Sequence, residues 1–333
     1  MKNTQIDIWA KEIIKKTGFI LKKELRRGYY YTEDRVRSLI LAGLYKNKPA
    51  VLKIYDDPRL TDEPIALKSF NKINKSKILK SPRVYAYKIV SPQKGWSIME
   101  RIPKEFECFV RPIKPEQRKL IASLYLEYRK NFPSKPTREL MLAESLNADQ
   151  FHIFRINRWL ELCTIKEAER KLRKKRPILN PKEFVPRFEK GLNLIRQEFK
   201  NRKMIWCHGH FNPAEVHTAP DKKIYYLLDF AHTHMYPEGY EFGFIIWSDW
   251  IMHGNWKTGY KKWKQGIDGW VGELKIIARK LKVKRSDSLM RASLVERCLG
   301  AILADICASN MPDTEKRGRI SLIYKLLDEL LRK

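Results

Sequence analysis

The chain changes texture near residue 103: before it, apolar positions come in short runs separated by turn residues, and after it they recur every three or four positions. Residues 29–32 and 36–45 are rich in aromatic, branched and long apolar side chains, and Asn47-Lys48-Pro49 leads into a third such run at 50–55. Short apolar runs bounded by turn formers predict strands, here of a small antiparallel sheet. Asp57-Pro58 breaks the pattern. Thr61-Asp62-Glu63-Pro64 then offers a helix start ahead of Ile65, Leu67, Phe70 and Ile73, because proline is tolerated in a first turn. Two more strands are predicted at 84–90 and 96–100, joined by a turn around 92–95.

Beyond Pro103, residues 117–132, 153–174, 186–200, 256–281, 286–309 and 317–331 carry apolar residues at helical spacing. One stretch interrupts them, 204–230, which reads as a strand, a polar loop and a second strand at 225–230. The expectation is a sheet-rich lobe over residues 1–102 and a helix-rich lobe over 103–333, with no internal repeat.

With 43% hydrophobic and 11% aromatic residues in 333, the chain can bury a sizeable core. Its most apolar windows, 38–45 and 242–250, fall short of the roughly 20 residues a bilayer span needs, and the second contains Asp249. Residues 1–16 include Asp7, Lys11 and Glu12 and lack the apolar centre of a secretion signal, so a soluble cytoplasmic protein without a membrane span is expected. Cys108, Cys163, Cys207, Cys298 and Cys307 form no Cys-x-x-Cys pair and read as buried reduced thiols.

The formal charge of +30 adds something the pattern does not, since such a field attracts nucleic acid, anionic lipid or phosphorylated substrates. The densest cluster, Arg170, Lys171, Arg173, Lys174, Lys175 and Arg176, falls at the end of a predicted helix, where positive charge is favourable against the helix dipole. No zinc-finger or RNA-recognition signature accompanies it, so the charge permits nucleic acid or another polyanion as partner without specifying either. Trp247, Trp250, Trp256, Trp263 and Trp270, with lysines among the last three, invite base stacking or a membrane-interface role. Their helical spacing points instead to core packing.

Chemistry concentrates in two stretches, Ile205-Trp206-Cys207-His208-Gly209-His210-Phe211-Asn212-Pro213-Ala214-Glu215-Val216-His217 and Leu227-Leu228-Asp229-Phe230-Ala231. Earlier in the chain, Lys53 lies inside the apolar run Val51-Leu52-Lys53-Ile54-Tyr55, and Glu63 follows at the next helix start. Asp229 stands at an apolar strand end, where an unpaired buried carboxylate is strongly unfavourable. In this order the stretches resemble the catalytic loop and metal-binding segment of the aminoglycoside phosphotransferase and choline kinase-like families, in which His-Gly-Asp, a proline and an asparagine precede an Asp-Phe-Gly-like turn. The resemblance runs over roughly residues 25 to 250.

It implies an α+β, two-lobed protein kinase-like fold and an ATP- and magnesium-dependent phosphotransferase acting on a hydroxyl of a small molecule. Phosphoryl transfer rests on positioning and on neutralising phosphate charge. By the resemblance, Lys53 orients phosphates and Glu63 holds Lys53. Residues 98–103 form the hinge over the adenine, with Met99, Glu100 and Ile102 as nucleotide contacts, and 236–241 resembles the segment that follows the metal aspartate. Asp229 and Glu215 bind magnesium, and His210 orients or deprotonates the acceptor.

Two positions depart from the family pattern: His210 stands where those families have an aspartate, and Glu215 where they have an asparagine. A neutral histidine, with an unperturbed pKa of about 6.5, can accept a proton. Glu215 offers hard oxygen ligands suited to magnesium. Loss of the aspartate is equally the mark of a pseudokinase, a binding or scaffolding module that transfers nothing. Residues 31–37 contain no glycine, so a close backbone wrap of the phosphates is not expected. A third reading starts from His208, His210, His217, His232 and His234, which with Asp229 and Glu215 have the composition of a transition-metal site. His208 is accounted for by the resemblance, which has a structural histidine there.

Overall fold

A computed structural model describes residues 4–29, 35–57, 62–140 and 142–332. In chain order its elements are helix α1 (Gln5–Thr17), strands β1 (Ile20–Tyr29), β2 (Val36–Tyr45) and β3 (Lys48–Asp56), helix α2 (Glu63–Ile73), and strands β4 (Leu79–Lys80), β5 (Val84–Ile89), β6 (Lys94–Glu100) and β7 (Glu107–Cys108). Helices α3 (Pro115–Asn131), α4 (Ala148–Leu172) and α5 (Pro181–Phe199) follow, then strands β8 (Met204–Cys207), β9 (Val216–Thr218), β10 (Tyr225–Leu227) and β11 (His234–Pro237). The chain ends in helices α6 (Tyr240–Ile246), α7 (Tyr260–Lys280), α8 (Ser286–Cys307) and α9 (Asp313–Arg332). It divides into two compact units, the first made of Met1–Phe109, Lys130–Glu139 and Glu215–His234, the second of Val110–Arg129, Leu140–Ala214 and Met235–Lys333.

The first unit is built on a five-stranded antiparallel sheet in the order β1-β2-β3-β6-β5. Along β3 the side chains alternate, as a pleated strand requires. Leu52 and Ile54 are fully buried in a core with Leu39, Leu41 and Ile98, while Lys53 and Tyr55 point to the opposite face. Helix α1 covers the core face with Ile6, Ala10 and Ile13, spaced four and three residues apart on one stripe. Asp7 accepts from the Thr4 backbone N–H at 3.0 Å to cap its start, and Gly18 ends it at φ 69°, a left-handed conformation that costs glycine nothing. A second, four-stranded sheet, β4-β10-β9-β7, brings residues 216–227 into this unit by pairing them with strands at 79–80 and 107–108. Phe70 of α2 packs on Phe132 and Phe230, with ring centroids 6.0 and 5.2 Å away, and so locks α2 to the turn that follows Asp229.

The second unit is helical. Helix α8 is buried along most of its length and packs against α4, α5, α6, α7 and α9. All seven residues of α6 are buried, and a π-turn over Trp247–Ile251 continues it. Trp263 and Trp270 are buried on α7, and the Trp270 indole N–H donates to Asp249 Oδ2 at 2.7 Å, so these two tryptophans are core residues.

The patterning misses α1 and starts the first strand too late. Strand β1 begins at Ile20 rather than Tyr29, because it is an exposed edge strand studded with Lys22, Lys23, Arg26 and Arg27 and shows no apolar alternation. Charge of this kind on an edge resists pairing with other chains. Residues 30–32 of the strand expected at 29–32, the break at Pro58, the helix start at Thr61 and most of the glycine-free stretch 31–37 lie outside the described residues. The helix expected over 256–281 divides at Gly259, φ 78°, into a 3-10 turn, Trp256–Thr258, and α7. Cys108 is exposed, against the expectation of five buried thiols; the other four are buried. Among the described residues no helix is long and apolar enough to cross a membrane.

Candidate functional site

In the first unit the outward face of β3 meets the start of α2. Lys53 Nζ lies 2.7 and 2.9 Å from the two carboxylate oxygens of Glu63 and 3.5 Å from Asp229 Oδ1. The Tyr55 hydroxyl donates a short hydrogen bond to Glu63 and lies 3.2 Å from Ser97 Oγ. Glu63 is almost fully buried, a place where a carboxylate persists only with a cation or donors against it. Burial works to lower the Lys53 ammonium, but Glu63, Asp229 and Glu215 outweigh it and hold the lysine well above its ordinary range. Burial also drives Glu63 upward, and Lys53 and Tyr55 oppose that rise. With Lys53 Nζ in contact with both oxygens, the pair is ionic.

Asp229 adopts φ 55°, ψ 56°, the left-handed region that few side chains other than Asp and Asn enter readily. The sharp turn delivers its carboxylate to Lys53 and places Phe230 in the aromatic contact with Phe70. Glu215, whose backbone carbonyl accepts from Leu228 N–H at 2.9 Å, is tied to the strand that leads into Asp229. Next to this group lies a cavity of about 70 Å³ lined by Lys53, Tyr55, Asp229 and His232 and, from β1 and β2, by Arg26, Arg37 and Ser38. At roughly 30 Å³ per water it has room for a group of phosphate size. Arg37 also pairs with the buried Asp57 at 3.6 Å.

Met99 is buried on β6 opposite Val51 and Val84, and Glu100 accepts from the Arg83 backbone N–H at 3.1 Å, while Ile102 follows the strand half-buried. None of the three lines the cavity beside Lys53. The histidines are dispersed: His234 Nδ1 lies 2.9 Å from an Arg138 guanidinium nitrogen, His217 is held below its ordinary value by burial, and no group of three or more His, Cys, Asp or Glu among the described residues is arranged to hold a metal ion. Residues 230–232 form a 3-10 turn, so His232 and His234 do not share one extended segment.

In the second unit the loop 208–214 is held by its own ladder of bonds. The Tyr128 hydroxyl accepts from His208 N–H at 2.6 Å, Glu241 accepts from Gly209 N–H at 2.9 Å, and Asn212 bridges the His210 carbonyl at 2.7 Å and the Ala214 N–H at 2.8 Å. Gly209 takes φ 78°, which a side chain would resist. The His210 imidazole stacks on Phe244, centroids 4.6 Å apart. Glu241, nearly fully buried, also accepts from Tyr125 and Tyr128 hydroxyls at 3.1 Å each and faces Arg129 at 3.8 Å. Burial and that carboxylate push both tyrosines well above their ordinary range.

Sequence reasoning missed Tyr55, Arg26, Arg37 and Glu241. Arg26 and Arg37 are charged strand residues that look solvated, and Tyr55 reads as one more member of the apolar run 50–55. Glu241 had a signal, a lone carboxylate ahead of Phe242, Phe244, Ile245 and Ile246.

No protein family and no curated protein matches the chain in sequence. Solved structures match its fold. Aminoglycoside phosphotransferase APH(4)-Ia superposes with a TM-score of 0.56 at 11% identity over 97% of both chains. Spectinomycin phosphotransferase APH(9)-Ia, solved with ADP and spectinomycin, gives 0.55 at 10% identity over 98% of this chain and 97% of that one. Plasmodium vivax ethanolamine kinase gives 0.54 at 11% identity over 97% and 90%. The chain therefore has the fold of the kinase-like small-molecule phosphotransferases, a small antiparallel-sheet lobe and a large helical lobe, as the resemblance implied.

Proposed function

We propose that the chain is a phosphotransferase that moves a phosphoryl group from ATP to a hydroxyl of a small molecule. The observation that carries this reading is the buried Lys53–Glu63 pair with Asp229 beside it, set against a cavity lined by two further cations. Three carboxylates act on one ammonium, and Asp229 and Glu215 are hard oxygen donors of the type a divalent cation takes, so the residues present fit magnesium. Bound magnesium would neutralise phosphate charge, and ATP would supply the transferable group.

In this reading Glu63 keeps Lys53 charged and pointed, and Lys53, with Arg26 and Arg37, binds phosphate oxygens. Asp229 and Glu215 hold the metal. Met99, Glu100 and Ile102 remain the proposed adenine contacts. His210, with its backbone tied to Asn212 and its ring flat on Phe244, receives the acceptor's proton on a ring nitrogen. An inactive pseudokinase is the second reading, favoured by that same stacking, which a purely packing histidine would also show.

Calorimetric titration with ATP, with and without magnesium, tests the reading. Magnesium-dependent binding that disappears in Asp229→Ala is expected, together with turnover of a hydroxyl acceptor that His210→Ala lowers with little change in ATP affinity. Absence of ATP binding under both conditions would refute it, and binding without turnover of any acceptor would select the pseudokinase.

A further inference from the structure

The second unit contains an open groove of about 420 Å³ between the C-terminal end of α4 and the turn that joins α8 to α9. Five cationic side chains line it, Lys166, Arg170, Arg173, Lys175 and Lys316, against two carboxylates, Glu169 and Asp313. Both carboxylates are engaged: Arg170 grips Asp313 at 2.5 and 3.0 Å, and Lys166 reaches Glu169 at 2.9 Å. Among the described residues no carboxylate forms an ion pair with Arg173, Lys175 or Lys316.

Arg173 and Lys175 are exposed, so water satisfies them. Lys316 is different. It is only 5% exposed, its Nζ donates to the Ile306 carbonyl at 2.9 Å, and burial pulls the ammonium below its ordinary value, a fall that Asp313 and Asp305 oppose and Arg170 deepens. Capping a helix carbonyl needs a donor and not a charge, whereas a buried ammonium with no carboxylate in contact is only partly compensated by Asp313 and Asp305. An anion in the groove would compensate Lys316 and the two exposed cations together. The volume lies in the range of small-molecule sites, and guanidinium groups bind phosphate through paired N–H donors.

We propose that this groove binds a compact anion carrying two or more phosphate groups, with Lys316 beneath it and Arg173 and Lys175 across its opening. The site belongs to the second unit alone and does not depend on the phosphotransferase reading.

Calorimetry with inorganic pyrophosphate at physiological salt tests the proposal on the full chain. Arg173→Glu/Lys175→Glu should weaken binding at least about tenfold, since two attractions become repulsions. Lys182→Glu/Lys190→Glu makes the same change in net charge on exposed residues of α5 that do not line the groove and should leave affinity within about twofold, because salt screens charges outside direct contact. Lys316→Met, verified as folded by its melting curve, should weaken binding as the first pair does. Equal losses from the two charge-reversal pairs, an affinity indifferent to Arg173 and Lys175, or no pyrophosphate binding would overturn the proposal. So would a single-stranded oligonucleotide that binds where pyrophosphate does not, since that outcome marks a nucleic-acid surface.

Discussion

Breaking the Lys53–Glu63 pair one partner at a time and then together reads out the electrostatics of the first unit. The charged atoms are 2.7 Å apart, with Glu63 1% and Lys53 14% exposed. At an effective dielectric constant of about 20, unit charges at that distance attract by about 6 kcal/mol. Removing two ions from water costs several kcal/mol each, on the same order as the attraction, so the pair contributes little net stability while either half alone is expensive. Glu63→Ala strips the ammonium of its nearest counter-charge and the Tyr55 hydroxyl of its acceptor, leaving Asp229 at 3.5 Å as a weaker partner. The expected loss is about 3–5 kcal/mol. Lys53→Met should cost about 3 kcal/mol, limited because Glu63, already driven upward by burial, can then take up a proton. The double variant Lys53→Met/Glu63→Leu should lie within about 2 kcal/mol of the parent, since the buried carboxylate goes together with its ammonium and Asp229, 34% exposed, keeps contact with water. Native-state hydrogen exchange of the β3 and β6 amides measures the stability of this unit within the whole chain. Single losses that add to the double loss within about 0.5 kcal/mol would show that the two residues are not coupled and would refute the ion-pair argument.

Two glycines should respond oppositely to alanine. A Cβ on Gly43 would sit 2.1 Å from the Ile20 carbonyl oxygen and 2.7 Å from the Phe19 ring, so Gly43→Ala should destabilise by about 3 kcal/mol, whereas Gly272→Ala, with open space on α7, should stabilise by about 0.5–1 kcal/mol, both checked by thermal melts. The Arg27 guanidinium, helped by Thr4, holds Asp7 down at about 2 against the effect of burial, below the unfolded value of about 3.9. Its contribution is therefore fully present above the unfolded value and lost as pH falls through the folded one, and for a partly exposed pair it amounts to about 1 kcal/mol. Melting curves between pH 5 and 2 should show Asp7→Asn losing less stability than the parent, and identical acid losses would rule the pair out.

Much of the architecture was legible because hydrophobic spacing is set by local geometry. The short apolar runs of β2, β3 and β6 and the helical spacing of α3 to α5 and α7 to α9 supply buried residues to the core, and burial writes those patterns into the sequence. Lys53 stands out for the converse reason, as a charge inside an apolar strand, and Glu63, Asp229 and the loop around His210 stand out by their order along the chain. Helix α1 carried its signals, Thr4 and Asp7 at its start and Gly18 at its end, but they are short-range marks on a segment of only 13 residues.

Only the tertiary structure could decide what distant segments do to one another. The two- and three-residue strands β4, β7, β9 and β10 have no periodicity of their own and exist because each supplies hydrogen bonds to its neighbours, which is how residues 215–234 come to belong with Met1–Phe109. Tyr55, Arg26 and Arg37 acquire meaning only when the β1-β2-β3 register and the turn at Asp229 set them around one small cavity. Lys316 and the cluster after α4, more than a hundred residues apart, make one groove because α8 returns the chain to α4. Periodicity encodes which face of an element is buried; the electrostatic partners of a buried charge are set by whatever the fold packs against it, and that information is spread over the whole chain.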